Sequence, residues 1–277
     1  MVTFDNVTFR YKKTKVLENF SLDIEKGKVY GLLGKNGAGK STMLYLMSGL
    51  LFPQKGQILF DGESVVKRKP SAFQDIYIVP EEFDLPRISL KKFVSANSSF
   101  YPNFSMEQLK KNLDFFEMDL SAGLGELSMG QKKKVFMSFA LAANTSLLIM
   151  DEPTNGLDIP SKSQFRKFIA SGMSDERTVL ISTHQVKDVE NLLDQVVVVE
   201  NRKILLNASV FEIGQKLSFV EGVERKHLEE ALYALPSLTG NKLILPNKGN
   251  EETPLDLELL FNALLSRPQE IISMFNN

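Results

Sequence analysis

The chain opens on a period-two pattern. Val2 and Phe4, then Val7 and Phe9, stand among polar residues, and Phe20, Leu22 and Ile24 alternate with Ser21 and Asp23. This spacing places alternate side chains on one face and predicts an antiparallel meander. From Val29 the pattern changes. Val29-Tyr30-Gly31-Leu32-Leu33 is a short apolar run, followed by a glycine-rich turn. A helical stretch from Ser41 to Ser48 comes next and stops near Gly49, with Pro53 beyond. Gly56, Ile58-Leu59-Phe60 and the Asp61-Gly62 turn predict a hairpin. Ile76 to Val79 reads as a buried strand ended by Pro80. Over residues 82–128, Pro86, Pro102, serine spacers and the helical spacing of Leu109, Leu113 and Phe116 predict an inserted α-helical region. Three more apolar strands follow, Leu147 to Met150, Thr178 to Ser182 and Val196 to Val199, with helical stretches such as Lys162 to Ser171 between them. This alternation predicts an α/β fold with a parallel sheet covered by helices. Beyond residue 207 the rhythm breaks into a helical piece (His227 to Leu235), a strand-like Lys242 to Leu245, a polar loop (Pro246 to Pro254) and a final amphipathic helix. The expected organisation is a main domain over 1–210 and a small C-terminal α+β accessory region over 211–277.

Composition narrows the picture. The 33 Lys and Arg against 34 Asp and Glu leave a net charge of −1, which argues against a bulk electrostatic nucleic-acid binder. No nucleic-acid partner is expected. The absence of cysteine excludes disulfides, thiolate zinc sites and a cysteine nucleophile. MVTFDNVTFR has no apolar core of the secretory kind, and runs such as Val196 to Val199 fall far short of the ~20 residues a membrane helix needs. Action at a membrane would need docking on another protein there.

Two constellations carry chemistry. Gly34-Lys35-Asn36-Gly37-Ala38-Gly39-Lys40-Ser41 fits G-x-x-x-x-G-K-[ST] between an apolar strand and a helix. Its glycines let backbone N–H groups curl around phosphate oxygens, Lys40 reaches the β- and γ-phosphates, and the Ser41 hydroxyl suits Mg²⁺. The positive end of the following helix faces the same anion. A dinucleotide site fits poorly, because its loop lacks the Lys-Ser end. The second constellation is the acid pair Asp151-Glu152 at the end of Leu147 to Met150. Ligands gather at the carboxyl ends of parallel strands, so both acids belong beside the cradle. Asp151 suits the Mg²⁺ shell, and Glu152 can orient or deprotonate an attacking water.

Four further pieces carry a family resemblance. Leu127-Ser128-Met129-Gly130-Gln131 resembles the LSGGQ signature of ATP-binding-cassette (ABC) proteins, and Pro153 to Asp158 resembles their D-loop region. Ser182-Thr183-His184 is similar to their switch-histidine motif, and Tyr11 stands where their A-loop aromatic stacks on adenine. The resemblance spans residues 1–210 and is to a transporter ATPase subunit of prokaryotic type. It implies a P-loop NTPase fold with a mixed central sheet, an N-terminal antiparallel β subdomain and a helical subdomain inserted at 82–128. It implies ATP and Mg²⁺ as ligands. ATP would contact Tyr11, Gly34, Lys35, Asn36, Gly37, Ala38, Gly39, Lys40, Ser41, Thr42 and Glu81. Ser41, Asp151 and Glu81 would hold the metal, and Lys40, Glu152 and His184 would carry catalysis. Ser128, Met129, Gly130 and Gln131 would contact the ATP of a second subunit, with Asp158 in the D-loop. It further implies a homodimer or heterodimer, separate membrane-spanning permease subunits contacted by the helical insert, and a position on the cytoplasmic face of the membrane.

Two positions depart from the family pattern. Glu81 in Val79-Pro80-Glu81-Glu82 takes the place of the Q-loop glutamine, and Met129 replaces a signature glycine. Lys132, Lys133 and Lys134 crowd the start of the helix that follows Ser128. Cations there oppose the helix dipole, so the run is either a solvated charge face or one that meets an anion. Of the two histidines, His227 is expected to be structural. Two rival readings are a soluble ABC protein acting on ribosomes or DNA, and a P-loop GTPase or kinase of another family. The chain has no coiled coil, second cassette or N-K-x-D guanine reader to support them.

Overall fold

The structure, a computed structural model, describes residues 1–222, 225–238, 240–249 and 251–275. The strands in chain order are β1 (Val2–Tyr11), β2 (Thr14–Ile24), β3 (Val29–Leu33), β4 (Lys55–Phe60), β5 (Glu63–Ser64), β6 (Ile76–Val79), β7 (Leu147–Asp151), β8 (Thr178–Thr183), β9 (Gln195–Glu200), β10 (Lys203–Ser209), β11 (Leu217–Gly222), β12 (Tyr233–Ser237) and β13 (Gly240–Pro246). The helices are α1 (Lys40–Met47), α2 (Pro70–Phe73), α3 (Leu90–Asn97), α4 (Met106–Phe115), α5 (Met129–Ala142), α6 (Ile159–Ser171), α7 (Val210–Lys216), α8 (Arg225–Glu230), α9 (Leu257–Ser266) and α10 (Pro268–Ile272).

The expected meander is an antiparallel sheet of order β2-β1-β4-β5. Its β4–β5 hairpin turns at Asp61 (φ 47°) and Gly62 (φ 79°), the two left-handed positions that Asp-Gly supplies readily. The central sheet has the order β10-β9-β3-β8-β7-β6 and is parallel except for edge strand β10, which makes it mixed. Both of its faces are covered, so β3, β7 and β8 are buried at every position. Alternation sorts their side chains. Tyr30, Leu32, Leu147, Ile149, Leu180, Val197 and Val199 pack with α1 and the N-terminal sheet. Val29, Leu33, Leu148, Met150, Val179 and Ile181 pack instead with α5, α6 and the helical insert.

The insert carries α3 and α4, each capped by a serine accepting from a first-turn amide: Ser89 from Lys92 and Ser105 from Gln108. Aromatic rings fasten it to the sheet side, with Tyr77 within 6 Å centroid distance of both Phe136 (5.8 Å) and Tyr101 (5.2 Å). The tail differs from its sequence pattern in one segment. The expected helix His227 to Leu235 ends at Glu230, and Tyr233 to Ser237 is strand β12, paired with β13. A short apolar run is ambiguous between periods, and the neighbouring strand's free backbone groups decide it here. Helix α7 and strand β11 follow β10 without a signal that sequence periodicity picks up. The final helix is split at Pro268 into α9 and α10. Ile213, Leu217, Phe219, Ile244, Leu257, Leu260, Leu264 and Ile271 join the same core as the α5 and α6 side of the sheet. The tail is thus packed on the main body through a continuous apolar layer.

Candidate functional site

The cradle is the loop between β3 and α1. Gly37 (φ 83°) and Gly39 (φ 102°) take conformations that L side chains rarely adopt, and Gly39 is the N-cap of α1. At Gly34 an added Cβ would meet Val199 O at 2.6 Å, so the loop also needs a bare backbone where it leaves the sheet. Lys40 is buried in this turn. Its ammonium donates to Gly34 O at 2.9 Å and Lys35 O at 3.4 Å, and lies 3.4 Å from Glu152 Oε1. The cation is held over the mouth of the loop, with the exposed Lys35 and Asn36 on its rim. An open cleft of about 410 Å³ is lined by Tyr11, Val16, Asn36, Gly37, Gly39, Lys40, Ser41, Thr42, Glu81 and Glu152. Tyr11 is 47% exposed at its edge, with its ring edge-on to Phe9.

The acid pair leaves β7 into a strained turn. Asp151 is buried and accepts a short hydrogen bond from the Ser182 hydroxyl of β8. Burial raises its carboxyl above the ordinary value. The Ser182 and Ser41 hydroxyls oppose that shift, and the charges of Glu152 and Glu81 reinforce it. Glu152 has φ 44°, an uncommon backbone for a non-glycine residue. Such strain costs on the order of 1–3 kcal/mol and persists only where the surroundings over-determine it. They do so here. The Glu152 amide donates to Ser182 O (3.0 Å) and Ser182 Oγ (3.2 Å). Glu152 Oε1 lies 2.9 Å from His184 Nδ1, and Glu152 Oε2 accepts from the His184 amide at 3.3 Å. This arrangement requires the proton on Nδ1, which turns Nε2 outward. His184 is 34% exposed.

Glu81 lies on the cleft wall, where its Oε1 accepts from Asn155 Nδ2 at 2.7 Å. Asn155 was not singled out from sequence, and only its place in the turn after the acids could have pointed to it. The lysine run also departs from the solvated alternative. Lys133 is 6% exposed and donates to Asn155 O at 2.6 Å, while Lys134 reaches Gln164 Oε1 and sits 5.6 Å above the Phe116 ring. Lys133, Met137 and Ala140 share a buried face at helical spacing, a signal that was present in the sequence.

The signature segment lies apart from the cleft lining. Ser128 caps α5 by accepting from the Gln131 amide, and the Gln131 side chain accepts from the Ser128 amide, a reciprocal capping box. Met129 is 55% exposed beside it. Asp158 caps α6 by accepting from the Ser161 amide, and the Ser161 hydroxyl together with that amide holds its carboxyl below the ordinary value. The chain therefore brings Tyr11, Asn36, Gly37, Gly39, Lys40, Ser41, Thr42, Glu81 and Glu152 to one cleft, with Asp151 buried and bonded to Ser182 and with His184 held on Glu152. It leaves Ser128, Met129, Gly130, Gln131 and Asp158 at two outward helix starts.

A metal with nucleotide fits the donors of this cleft. The Ser41 hydroxyl and Asp151 carboxylate are hard oxygen ligands, and the mutual repulsion of Asp151, Glu152 and Glu81 is relieved by a divalent cation. Among the described residues no cluster of three or more His, Cys, Asp or Glu side chains could hold a metal alone. Mg²⁺ needs none, since it binds through one or two carboxylates, water and phosphate oxygens.

Comparison with known proteins gives the family and agrees with the fold. The family model described as "ABC transporter" matches residues 17–155. The ABC transporter ATP-binding protein YtrB of Bacillus subtilis is 31% identical over 192 residues, which are 69% of this chain and 65% of that protein. The ATP-binding protein NatA of the same organism is 31% identical over 76% of this chain and 90% of its own length. Among solved structures, an ATP-binding subunit of an ABC transporter superposes with TM-score 0.70 at 24% identity, covering 77% of this chain and 91% of that one. The cbiO1 protein of Clostridium perfringens, described as part of the transporter complex cbiONQ, superposes with TM-score 0.63 at 26% identity, over 76% of this chain and 89% of its own. With that family model over half of its length and such relatives covered over more than two thirds of it, the chain belongs to the ABC transporter family as an ATP-hydrolysing subunit.

Proposed function

We propose that two subunits clasp two ATP molecules, each between the Gly34–Thr42 cradle of one chain and Ser128 to Gln131 of the other. The observation that supports this reading is the pair of outward, well-capped helix starts at Ser128 and Asp158, left away from the cleft lined by Lys40 and Glu152. Tyr11 stacks on the base, a contact that tolerates any base, so adenine specificity rests on family likeness. Lys40 exchanges its loop carbonyls for the β- and γ-phosphates. Ser41, Asp151 and Glu81 would hold a divalent ion, which would supply charge neutralisation at the phosphates. Glu152 takes the proton of the attacking water, and its hold on His184 Nδ1 aims the other ring nitrogen at the γ-phosphate. Phosphoryl transfer is largely positioning and electrostatics, and this constellation supplies both. ATP closes the pair and hydrolysis opens it.

The mechanical work is transport through separate membrane-spanning subunits. Among the described residues no helix is long and apolar enough to cross a membrane. Docking on such partners at the cytoplasmic face rests on the family likeness. NatA and YtrB are themselves ATP-binding proteins of ABC transporters, which favours this reading over action on ribosomes or DNA. The near-zero net charge points the same way. A tagged full chain should carry hydrophobic multi-span subunits out of solubilised membranes. Recovery with ribosomes instead would overturn the transport reading.

Glu81 gives a sharper test of the metal site. Its carboxylate adds negative charge near the phosphates, which a divalent ion must absorb. Glu81→Gln keeps an oxygen for Asn155 and removes that charge. Hydrolysis should remain measurable, with the Mg²⁺ dependence displaced. Superimposable Mg²⁺ titrations for the two proteins would remove Glu81 from the site.

A further inference from the structure

The buried lysine of α5 has a position that the phosphate chemistry does not use. A lysine is seldom buried fully, because its flexible stem can carry the ammonium to water. Lys133 instead turns inward and donates to a single main-chain oxygen, Asn155 O, at 2.6 Å. Burial pushes its ammonium below the ordinary value, and the charges of Glu81 and Glu152 oppose that shift. The turn it touches is the one that carries Glu152 at φ 44°.

Asn155 is the hub of that turn. Its amide donates to Glu152 O at 3.1 Å and closes the turn on the acid. Its side chain donates to Glu81 Oε1 at 2.7 Å. Its carbonyl is the atom that Lys133 holds. Three contacts to one residue thus join the strained acid, the Glu81 wall and the first turns of α5. Lys133 is the member of this set that comes from the helix begun by Ser128.

We propose that Lys133 is a positioning residue for hydrolysis, fixing the Glu152–Asn155 turn against α5 so that the carboxylate keeps its place beside Lys40 and His184. The inference rests on Glu152 as the group that activates water. Lys133 lies outside the cleft lining and gives its ammonium to a main-chain oxygen, so its loss should act on turnover and leave nucleotide affinity in place.

The test is steady-state ATP hydrolysis by the full chain carrying Lys133→Met, Lys133→Arg or Glu152→Gln, beside the unaltered protein. For Lys133→Met, kcat should fall about tenfold while KM for ATP stays within about twofold, as expected when only transition-state geometry is lost. Lys133→Arg, which retains a cationic donor of similar reach, should restore most of kcat. Thermal melting separates this from a folding defect, since both variants should melt within a few degrees of the parent. Unchanged kcat in Lys133→Met, with Glu152→Gln inactive, overturns the inference and leaves the Glu152 reading standing. A kcat loss that follows a lowered melting temperature equally in Met and Arg variants also overturns it. An active Glu152→Gln protein instead brings down the reading of Glu152 itself.

Discussion

Replacing Glu152 by glutamine should lower ATP turnover by about 10²- to 10³-fold, in the range that a positioned general base contributes, while ATP binding persists. The substitution is nearly isosteric. The amide oxygen can stand in for Oε1 beside His184 Nδ1 and Lys40, at the cost of the acceptance of the His184 backbone N–H by Oε2, and the φ 44° turn is held by Ser182 and Asn155, which are untouched. The ability to take a proton from water is lost, together with the negative charge beside Lys40 and one acceptor for His184. A chain that binds but does not cleave should accumulate as an ATP-dependent dimer. Phosphate release and gel filtration with and without Mg-ATP check the two halves of this expectation. Near-normal phosphate release would remove Glu152 from its assigned role.

The largest expected effect on stability is at Arg177, far from the cleft. Its guanidinium is 7% exposed and donates to Gly172 O (2.6 Å), Asn144 Oδ1 (2.7 Å), Leu141 O (3.1 Å) and Thr145 O (3.4 Å). Leu141 is in the last turn of α5, and Gly172 is the C-cap of α6. One cation therefore satisfies carbonyls at the ends of both helices whose starts are Ser128 and Asp158. A positive group there also complements the two helix dipoles. Arg177→Met leaves buried acceptors without donors and should cost about 2–4 kcal/mol. At about 2 °C per kcal/mol for a chain of this size, the melting temperature should drop by roughly 4–8 °C. Arg177→Lys should recover only part, because a single ammonium lacks the planar fork that spans two helix ends. A melting temperature within about 1 °C of the parent would show that water serves those carbonyls as well.

The parts legible in the sequence are those in which local pattern and chemistry coincide. Gly34 to Ser41 states its own function, since glycine, lysine and serine at that spacing have few other uses between a strand and a helix. Asp151 and Glu152 were legible because an apolar run ends on them, and a parallel sheet brings strand ends together. The strands were legible by length and composition, whereas the split of Tyr30 and Leu32 from Val29 and Leu33 onto opposite faces came from the structure. What stayed hidden depends on partners distant in sequence. Lys133, Asn155 and Glu81 meet across separations of 22 and 74 residues, and nothing local marks that meeting. The positive φ of Glu152 is imposed by β8, not by the residue. Tyr233 to Ser237 became a strand because β13 was there to pair with it. The tail's place on the main core follows from apolar contacts that no short motif encodes.

Because the chain contains no cysteine, the dimer can be tested with a single pair of introduced thiols. Asn36→Cys on the cradle rim and Met129→Cys beside Ser128 both place a thiol on exposed backbone. In a Glu152→Gln background, mild oxidation with Mg-ATP should give a covalent dimer, and oxidation without nucleotide should give little. Cross-linking that ignores nucleotide, or none under either condition, would contradict the claim that ATP is clasped between the glycine loop of one subunit and the serine-capped helix of the other.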